Sequence, residues 1–279
     1  MYAMKAFFST PCVDSHFHIF EAVAAIKGAR YVPAYAATID KWSALAGAAG
    51  VTHGVLVQPS FLGTDNRLML EALATYPGRL KGIAVVEPTI SAQKLTEMHG
   101  AGVRGVRLNL VGGDHCVDQW NLNSVFWDHL ITLGWHLEIH TDPGRLPEVL
   151  PKLPTDLRFV VDHMAKPLTA HLSDPTLKIL HRYGSDRVMV KLSGAYRQAG
   201  VDARDLAQAL LGELGSSALV WGSDWPCTNY ENYADYLSLR SSLTRWVGES
   251  YSDEIMRLNP MRLYWGRHQN HLLAAPGKH

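Results

Sequence analysis

The sequence predicts an α/β fold in which eight parallel strands and their helices form a single (β/α)8 TIM barrel over residues 1–279. Short apolar segments alternate with helical segments along the chain, as in a series of βαβ units. Eight such units close naturally into a barrel, and about 250 residues is usual for one such domain. The alternative is an open doubly wound sheet, but no G-x-G-x-x-G follows the first strand.

The strands are predicted where short segments are apolar and rich in β-branched residues. They lie at residues 12–18, 53–58, 80–86, 103–110, 135–140, 158–162, 187–193 and 218–223. Helices are predicted where a capping residue precedes an apolar periodic segment. Four are placed: from Thr38 to Gly50, from Thr64 or Asp65 to about Tyr76, from Ser91 to Gly100, and over residues 123–134.

Charge and cysteine content exclude several classes of protein. The 26 basic residues balance 26 acidic ones without a basic run, so nothing predicts binding to nucleic acid or to an anionic membrane. Cys12, Cys116 and Cys227 are odd in number and widely spaced, which favours a reducing cytoplasm over a disulfide framework. No apolar segment is long enough to span a bilayer. We expect a cytoplasmic protein, and the sequence leaves a homo-oligomer open.

The first strand carries a group of polar side chains. Successive residues of a strand point to opposite faces, so Asp14, His16 and His18 are predicted to share one side, with Val13, Ser15 and Phe17 on the other. Burying two imidazoles and a carboxylate costs free energy unless they are paired or bind a ligand. Either histidine alone would fit an ordinary structural role, but the pair at this spacing indicates a site.

Polar residues also follow the other strands, where a barrel of this kind assembles its active site. A solvated loop would supply some of them, but not an ionisable or hydroxyl residue directly after almost every apolar segment. The residues at or just beyond the strand ends are His16, His18, Ser60, Glu87, Arg107, Asn109, His140, His163, Ser193, Arg197 and Asp224.

Five ordered motifs resemble the amidohydrolase superfamily. They are Val13-Asp-Ser-His-Phe-His18, Gly102-Val-Arg-Gly-Val-Arg-Leu-Asn109, Asp162-His163, Trp221-Gly-Ser-Asp-Trp-Pro226 and Asn259-Pro-Met-Arg-Leu-Tyr264. Within the superfamily the chain is similar to the branch of 2-pyrone-4,6-dicarboxylate lactonases and sugar-lactone hydrolases. Gln58-Pro-Ser60, Gly63-Thr-Asp-Asn66 and Lys191-Leu-Ser-Gly-Ala-Tyr-Arg197 carry that closer likeness.

The resemblance implies hydrolysis of a lactone without a required cofactor. Asp224 would take a proton from the attacking water, while His16, His18 and His163 would polarise the carbonyl and hold the oxyanion. Repulsion between like charges predicts at most one protonated imidazole among the three. Two structural alternatives stand beside these roles: Asp224 as a helix N-cap, and His163 as a core histidine.

The same four residues suit a metal. Three imidazoles and a carboxylate form a donor set for a single zinc ion with an open position, using His16, His18, His163 and Asp224. No lysine stands at the fourth or fifth strand end to form a bridging carbamate, so a dinuclear centre is disfavoured. With one metal ion, the competing hypothesis is a metal-dependent decarboxylase of the same superfamily.

Two arginines are predicted to bind the substrate. Arg107 and Arg197 can each hold a carboxylate through two parallel hydrogen bonds, which indicates a small carboxylated lactone as partner. Their structural alternative is an ion pair with a barrel carboxylate such as Glu138 or Glu87. Ser60 and Tyr35 would add neutral hydrogen bonds. The lactonases of the resemblance carry a further basic residue soon after the strand-four arginine, and residues 108–113 contain none. A barrel that binds a carboxylate ligand without catalysis is the third hypothesis.

Overall fold

The computed structural model describes residues 11–22, 25–198 and 200–266. Its centre is one sheet of eight parallel strands that neighbour each other in chain order. The strands are β1 Val13–Phe17, β2 His53–Val57, β3 Leu80–Ala84, β4 Val103–Asn109, β5 His136–His140, β6 Arg158–Val161, β7 Val188–Leu192 and β8 Leu219–Trp221. Each lies within the bounds predicted from the sequence, and the predicted α/β barrel architecture is confirmed. The domain assignment over residues 1–279 stays a prediction.

Helices connect the strands and cover the outside of the sheet. They are α1 Ile39–Ala48, α2 Arg67–Thr75, α3 Ala92–Ala101, α4 Asp118–Asn121, α5 Ser124–Thr132, α6 Leu146–Val149, α7 Pro175–Tyr183, α8 Ala203–Leu214, α9 Tyr236–Val247 and α10 Glu249–Asp253. Within the described ranges, no helix has the length and apolar content that crossing a membrane requires.

Two of the predicted helix caps are confirmed and one is wrong. Thr38 Oγ1 accepts from the Lys41 amide at 3.4 Å, and Ser91 Oγ from the Lys94 amide at 3.2 Å. The residue before α2 is Asn66, not Thr64 or Asp65, and its side chain does not cap the helix. The Asn66 amide group instead hydrogen-bonds both the carbonyl and the amide of Val85, which ties the start of α2 to the end of β3.

The sheet closes through the segment that follows β8. The Asp224 amide donates to the His16 carbonyl at 2.8 Å, and the His18 amide donates to the Trp225 carbonyl at 2.8 Å. We call these two hydrogen bonds the seam. The seam pairs the segment after β8 with the end of β1 in the parallel direction. It therefore places the Asp224 backbone directly beside His16 and His18.

The predicted alternation along β1 is wrong at its first two residues. The pairing of β1 with β2 shifts between Asp14 and Phe17, so a bulge interrupts the period of two. Asp14 therefore faces the helices, where its carboxylate accepts from Trp42 Nε1 at 3.0 Å, Ser223 Oγ at 2.6 Å and Tyr236 Oη at 3.0 Å. Burial raises the pKa of Asp14 despite these hydrogen bonds.

The bulge also changes which apolar side chains enter the barrel. Val13 packs with Val55, Val57, Ile83 and Tyr264 in a buried cluster separate from the main core. Along β2, Gly54 and Leu56 alternate with Val55 and Val57, so the valines point to the opposite face of the strand, into the barrel. The cluster therefore fills the barrel interior below the polar groups. The main core lies between the outer face of the strands and the helices, and includes the Phe17 ring stacked 3.9 Å from that of Trp42.

We predict that Gly54→Ala destabilises the fold and its site. A Cβ at Gly54 would lie 2.6 Å from both Phe17 and Trp42, so the stacked pair beside β1 would have to move. Overpacking of this kind costs about 1–3 kcal/mol, measured as the free energy of unfolding in denaturant. Gly212→Ala is the control, because nothing lies within 4 Å of the new Cβ on α8. Equal stability of both variants would contradict the close packing at Gly54.

Candidate active site

The structure brings the four predicted central residues together at the carboxyl ends of the strands. His16 Nε2 lies 3.2 Å from His18 Nε2. Asp224 Oδ1 lies 3.4 Å from His18 Nε2, 3.7 Å from His16 Nε2 and 3.9 Å from His163 Nε2. All four side chains are buried. One carboxylate oxygen therefore faces three imidazole nitrogens, and we call these residues the central cluster.

Left-handed backbone places two members of the central cluster. Asp224 has φ 58°, and the four consecutive residues 163–166 all have φ between 47° and 61°. Non-glycine residues adopt this region at a cost of about 1–2 kcal/mol each, so such a turn needs support from the surrounding structure. Gly194 provides space for it, because a Cβ there would lie 2.7 Å from His163 Nδ1. Ser193 Oγ lies 3.0 Å from the same nitrogen.

The Asp224 carboxylate is held on its other oxygen. Oδ2 accepts from Tyr196 Oη and from Arg197 Nε, both at 2.7 Å. Burial alone would raise the pKa of Asp224, but the Arg197 guanidinium holds it well below its usual range. Oδ1 is left to face the imidazoles as an ionised acceptor. The alternative role of helix cap is not found, since the next described helix, α9, begins at Tyr236.

Hydrogen-bond partners indicate the protonation of the β1 histidines. His18 Nδ1 lies 2.7 Å from the Val57 carbonyl, which only accepts, so Nδ1 carries the proton and a neutral His18 has a bare Nε2. His16 Nδ1 lies 3.1 Å from Lys191 Nζ, a donor, and 3.1 Å from Asp162 Oδ1, an acceptor. His16 can therefore take either tautomer.

Burial favours the neutral form of His16, His163 and His140. It lowers the pKa of His16 well below the usual value, lowers that of His163 to about 3, and lowers that of His140 as well. These shifts agree with the expectation that at most one of His16, His18 and His163 is protonated. The cause is desolvation of the cation, which the nearby carboxylates offset only in part.

A network of buried ion pairs lies beneath the central cluster. Arg107 Nη2 donates to Asp162 at 2.9 Å, and Arg107 Nε lies 3.6 Å from Glu138. Lys191 forms a short contact with Glu138 and reaches His16. Burial and the Asp162 charge raise the pKa of Glu138 to about 8. Arg107 thus forms the barrel ion pair that the sequence left open as its structural alternative, with Asp162 as well as Glu138.

A cavity of about 170 Å³ opens above the central cluster. Six predicted site residues line it: His18, His163, Asp224, Arg107, Arg197 and Ser60. His16 lies beneath it, fully buried. Tyr35 is not among the lining residues, because its hydroxyl donates to Glu231 at 2.7 Å and its ring packs on Phe20. Tyr31, from the same loop, lines the cavity instead.

Two residues at the site, Lys191 and Arg30, were not predicted from the sequence. Asn109, which the sequence placed at the end of the fourth strand without a role, also lines the cavity. Lys191 is a charged residue inside an otherwise apolar strand, which also signals a function. Arg30 lines the cavity from the loop after β1, where no periodicity applies and no signal exists.

The central cluster has the donors and spacing of a metal site. Tetrahedral zinc with Zn–N of about 2.0–2.1 Å separates its ligand atoms by about 3.3 Å. The Nε2 atoms of His16 and His18 and Oδ1 of Asp224 are 3.2–3.7 Å apart. His16, His18 and Asp224 form one such group, and His16, Asp162 and His163 form another. His16, His18 and Asp224 therefore fit one ion, provided that His16 turns a bare Nε2 towards it.

Comparison with known proteins adds relatives to this geometry. The amidohydrolase family model matches residues 13–265. The chain is 29% identical to 2-pyrone-4,6-dicarboxylate hydrolase of Comamonas testosteroni, over 91% of this chain and 90% of that one. It is 28% identical to 4-sulfomuconolactone hydrolase of Rhizobium radiobacter, over 90% and 89%.

Solved structures agree with the fold. A probable 2-pyrone-4,6-dicarboxylic acid hydrolase from Acinetobacter baumannii, with citric acid bound, superposes with TM-score 0.81 and 32% identity, over 91% of this chain and 99% of that one. A zinc-bound amidohydrolase from Burkholderia multivorans, 20% identical, and a 5-carboxyvanillate decarboxylase from Sphingomonas paucimobilis, 14% identical, share the fold alone. The family match, which spans nearly all of the described barrel, shows that the chain belongs to the amidohydrolase family.

Proposed function

We propose that the protein hydrolyses a small carboxylated lactone, with water as the nucleophile. The observation that carries the proposal is Asp224 Oδ1 facing three imidazole Nε2 atoms at the base of a cavity lined by guanidinium groups. Relatives named as lactone hydrolases, aligned over about 90% of this chain, support the same reaction class. A barrel that only binds carboxylates would not need an ionised, buried carboxylate beside neutral imidazoles.

Two acceptors in the central cluster can orient the attacking water. In a neutral His18 the proton lies on Nδ1, so Nε2 and the ionised Asp224 Oδ1, 3.4 Å apart, are both acceptors and neither can donate to the other. A water molecule can donate one O–H to each, which leaves an oxygen lone pair directed into the cavity. Asp224 is the general base in this arrangement, because it is the group able to accept the proton as the new bond forms.

His163 is placed to stabilise the oxyanion. If the Ser193 hydroxyl donates to His163 Nδ1, a neutral His163 carries its proton on Nε2, which faces the cavity beside Asp224. That N–H can donate to the lactone carbonyl oxygen as negative charge develops on it. The water oxygen then bonds to the carbonyl carbon, the ring C–O bond breaks, and the released alkoxide takes the proton that Asp224 accepted, which gives a hydroxy acid and restores the base.

The arginines supply recognition of the substrate acid group. Arg197 and Arg107 line the cavity, with Ser60 beside them as a neutral partner. Arg197 already pairs with Asp224, so a substrate carboxylate that draws this guanidinium towards itself would raise the basicity of Asp224. Binding of the correct acid group and activation of the base are coupled in this proposal.

A metal ion is not required by these steps, although the central cluster could hold one. His16, His18, His163 and Asp224 would bind it, and a bound zinc ion would supply Lewis-acid activation of water or of a carbonyl. That chemistry is also what the alternative, a metal-dependent decarboxylase, would need. The structures named as decarboxylases or as zinc-bound share the fold alone, so the lactone hydrolase is better supported.

The cellular setting is part of the proposal. We propose a cytoplasmic enzyme, because Cys12, Cys116 and Cys227 are free thiols, two of them buried. Its partner is a small carboxylated lactone, with no nucleic acid or membrane, and the domain spans residues 1–279. A homo-oligomer is proposed only as compatible with the chain.

We predict that Asp224→Asn lowers kcat for a carboxylated lactone by about 10²–10⁴-fold, because the amide cannot accept the proton. The measurement is acid release by the variant and the wild type, with folding checked by thermal unfolding. Asp65→Asn is the matched control, since that carboxylate is exposed and pairs with Arg67. Unchanged turnover of every lactone that the wild type accepts would refute the assignment of the base.

We also predict that Lys191 opposes metal binding. Its ammonium can donate to His16 Nδ1, and the tautomer that accepts this hydrogen bond carries its proton on Nε2, where a metal would need a lone pair. Replacing Lys191 alone would leave Glu138 buried without its closest cation, so the test variant is Lys191→Met with Glu138→Gln. Zinc affinity, measured by chelator competition, should rise by about tenfold or more, as His16 turns Nδ1–H towards Asp162. Equal or weaker zinc binding would show that Lys191 has no such effect.

A further inference from the structure

The cavity has three guanidinium groups, and only one of them lacks a protein carboxylate. Arg107 pairs with Asp162, and Arg197 pairs with Asp224. In the part of the chain that the structure describes, no carboxylate oxygen lies within 4.0 Å of the Arg30 guanidinium. Its hydrogen bond is to a neutral acceptor, Asn109 Oδ1, at 3.3 Å. Arg30 is therefore the cavity cation that remains able to bind a ligand anion.

The loop after β4 is shaped to receive the Arg30 side chain. A Cβ at Gly112 would lie 3.2 Å from Nη1 and 3.3 Å from Cδ of Arg30, so the arginine lies across the bare backbone of this glycine. Gly112 has φ 72°, a conformation that favours glycine. Residues 108–113 contain no basic side chain, so the positive charge on this side of the mouth comes from a different loop.

The loop that carries Arg30 is anchored at the mouth. Tyr31 and Tyr35 both donate from their hydroxyls to Glu231, at 2.6 and 2.7 Å, which joins the β1 loop to the segment after β8. Tyr31 lines the cavity beside Arg30. The guanidinium is thus presented from a held position, which reduces the entropy lost when it binds an anion.

The charges around Arg30 do not balance. Asp142 is the nearby carboxylate, and its Oδ2 accepts from the Gly112 amide at 2.8 Å and lies 3.6 Å from His115 Nε2. Lys166 is a second buried cation in this region, 3.5 Å from His140 Nε2. Two cations and one carboxylate leave a local excess of one positive charge, which a ligand anion can compensate.

We propose that Arg30 recognises a second acidic group of the substrate, on the side of the mouth formed by Asn109 and Gly112. This inference rests on the proposed function and narrows it: the substrate class is a lactone with two acidic substituents. One of them is bound near Arg197 and Arg107, and the other is bound by Arg30. The acidic group that Arg30 binds is an anion with several oxygens, either a carboxylate or a sulfonate. A guanidinium binds both kinds of group through paired hydrogen bonds.

The test compares Arg30→Met with the wild type on matched probes. The probes are 2-pyrone-4,6-dicarboxylate, 2-pyrone-6-carboxylate as the mono-acid, and 4-sulfomuconolactone for the sulfonate. We expect kcat/KM for a di-acid to fall by about 10–100-fold, mainly through KM, and to fall at least tenfold more than for the mono-acid. Arg30→Lys should recover part of the loss. A larger loss of kcat/KM on 2-pyrone-4,6-dicarboxylate identifies the group as a carboxylate, and a larger loss on 4-sulfomuconolactone identifies it as a sulfonate.

The control is Arg145→Met, because Arg145 pairs with Glu148 and lies outside the cavity lining. Equal losses on mono-acid and di-acid, or an unchanged KM for both di-acids, would overturn the role of Arg30. Calorimetric titration of the di-acids separates this result from failure of the proposed function. If no lactone is hydrolysed, weaker di-acid binding by Arg30→Met than by the wild type still supports Arg30, and equal or absent binding overturns it.

Discussion

The active-site geometry depends on the seam between β1 and the segment after β8. Two backbone hydrogen bonds, from Asp224 to His16 and from His18 to Trp225, join β1 and the residue after it to the segment that follows β8. They join residues more than 200 positions apart in sequence, and they fix the Asp224 Cα beside the strand that carries both histidines. The carboxylate can then reach the three imidazoles without a long flexible side chain. The hydrogen bonds that close the barrel are therefore the ones that position the site.

The second constraint is the burial of charge inside the barrel. Arg107, Lys191, Glu138 and Asp162 are nearly or fully buried and form a network of opposed charges. Replacing such a network with apolar residues is often neutral or stabilising for a fold, so its presence indicates a functional role. In this barrel the network lies beneath His16 and offers one hydrogen-bond donor and one acceptor to the same ring nitrogen. The central cluster above combines an ionised Asp224 with the neutral imidazoles of His16 and His163, and this suits acid–base chemistry on a carbonyl.

Much of the barrel could be predicted from local sequence, because each strand is a short apolar segment followed by a polar residue. His16, His18, His163 and Asp224 were found for the same reason, since strand ends of a barrel meet at one face. Asp14 was misplaced because a bulge breaks the period of two, and a bulge depends on pairing with β2. Asn66 was missed as the start of α2 because its amide serves β3 instead of the helix.

Contacts between distant segments account for the remaining gaps. Arg30 meets Asn109 across 79 positions, and Lys191 meets His16 across 175, so neither pairing has a local signature. Tyr35 was expected in the cavity but bonds Glu231, which lies on another loop. The positions of loop side chains depend on tertiary contacts, and a single sequence shows no regular spacing from which these contacts could be predicted.

In the proposed reaction, the central cluster adds water to the carbonyl of a carboxylated lactone. Turnover of a lactone panel in water enriched in oxygen-18, followed by mass spectrometry of the products, tests it most directly. Hydrolysis gives a ring-opened hydroxy acid that contains one solvent oxygen in its new carboxylate and retains every carbon atom. Loss of carbon dioxide, or a product without solvent oxygen, would contradict it.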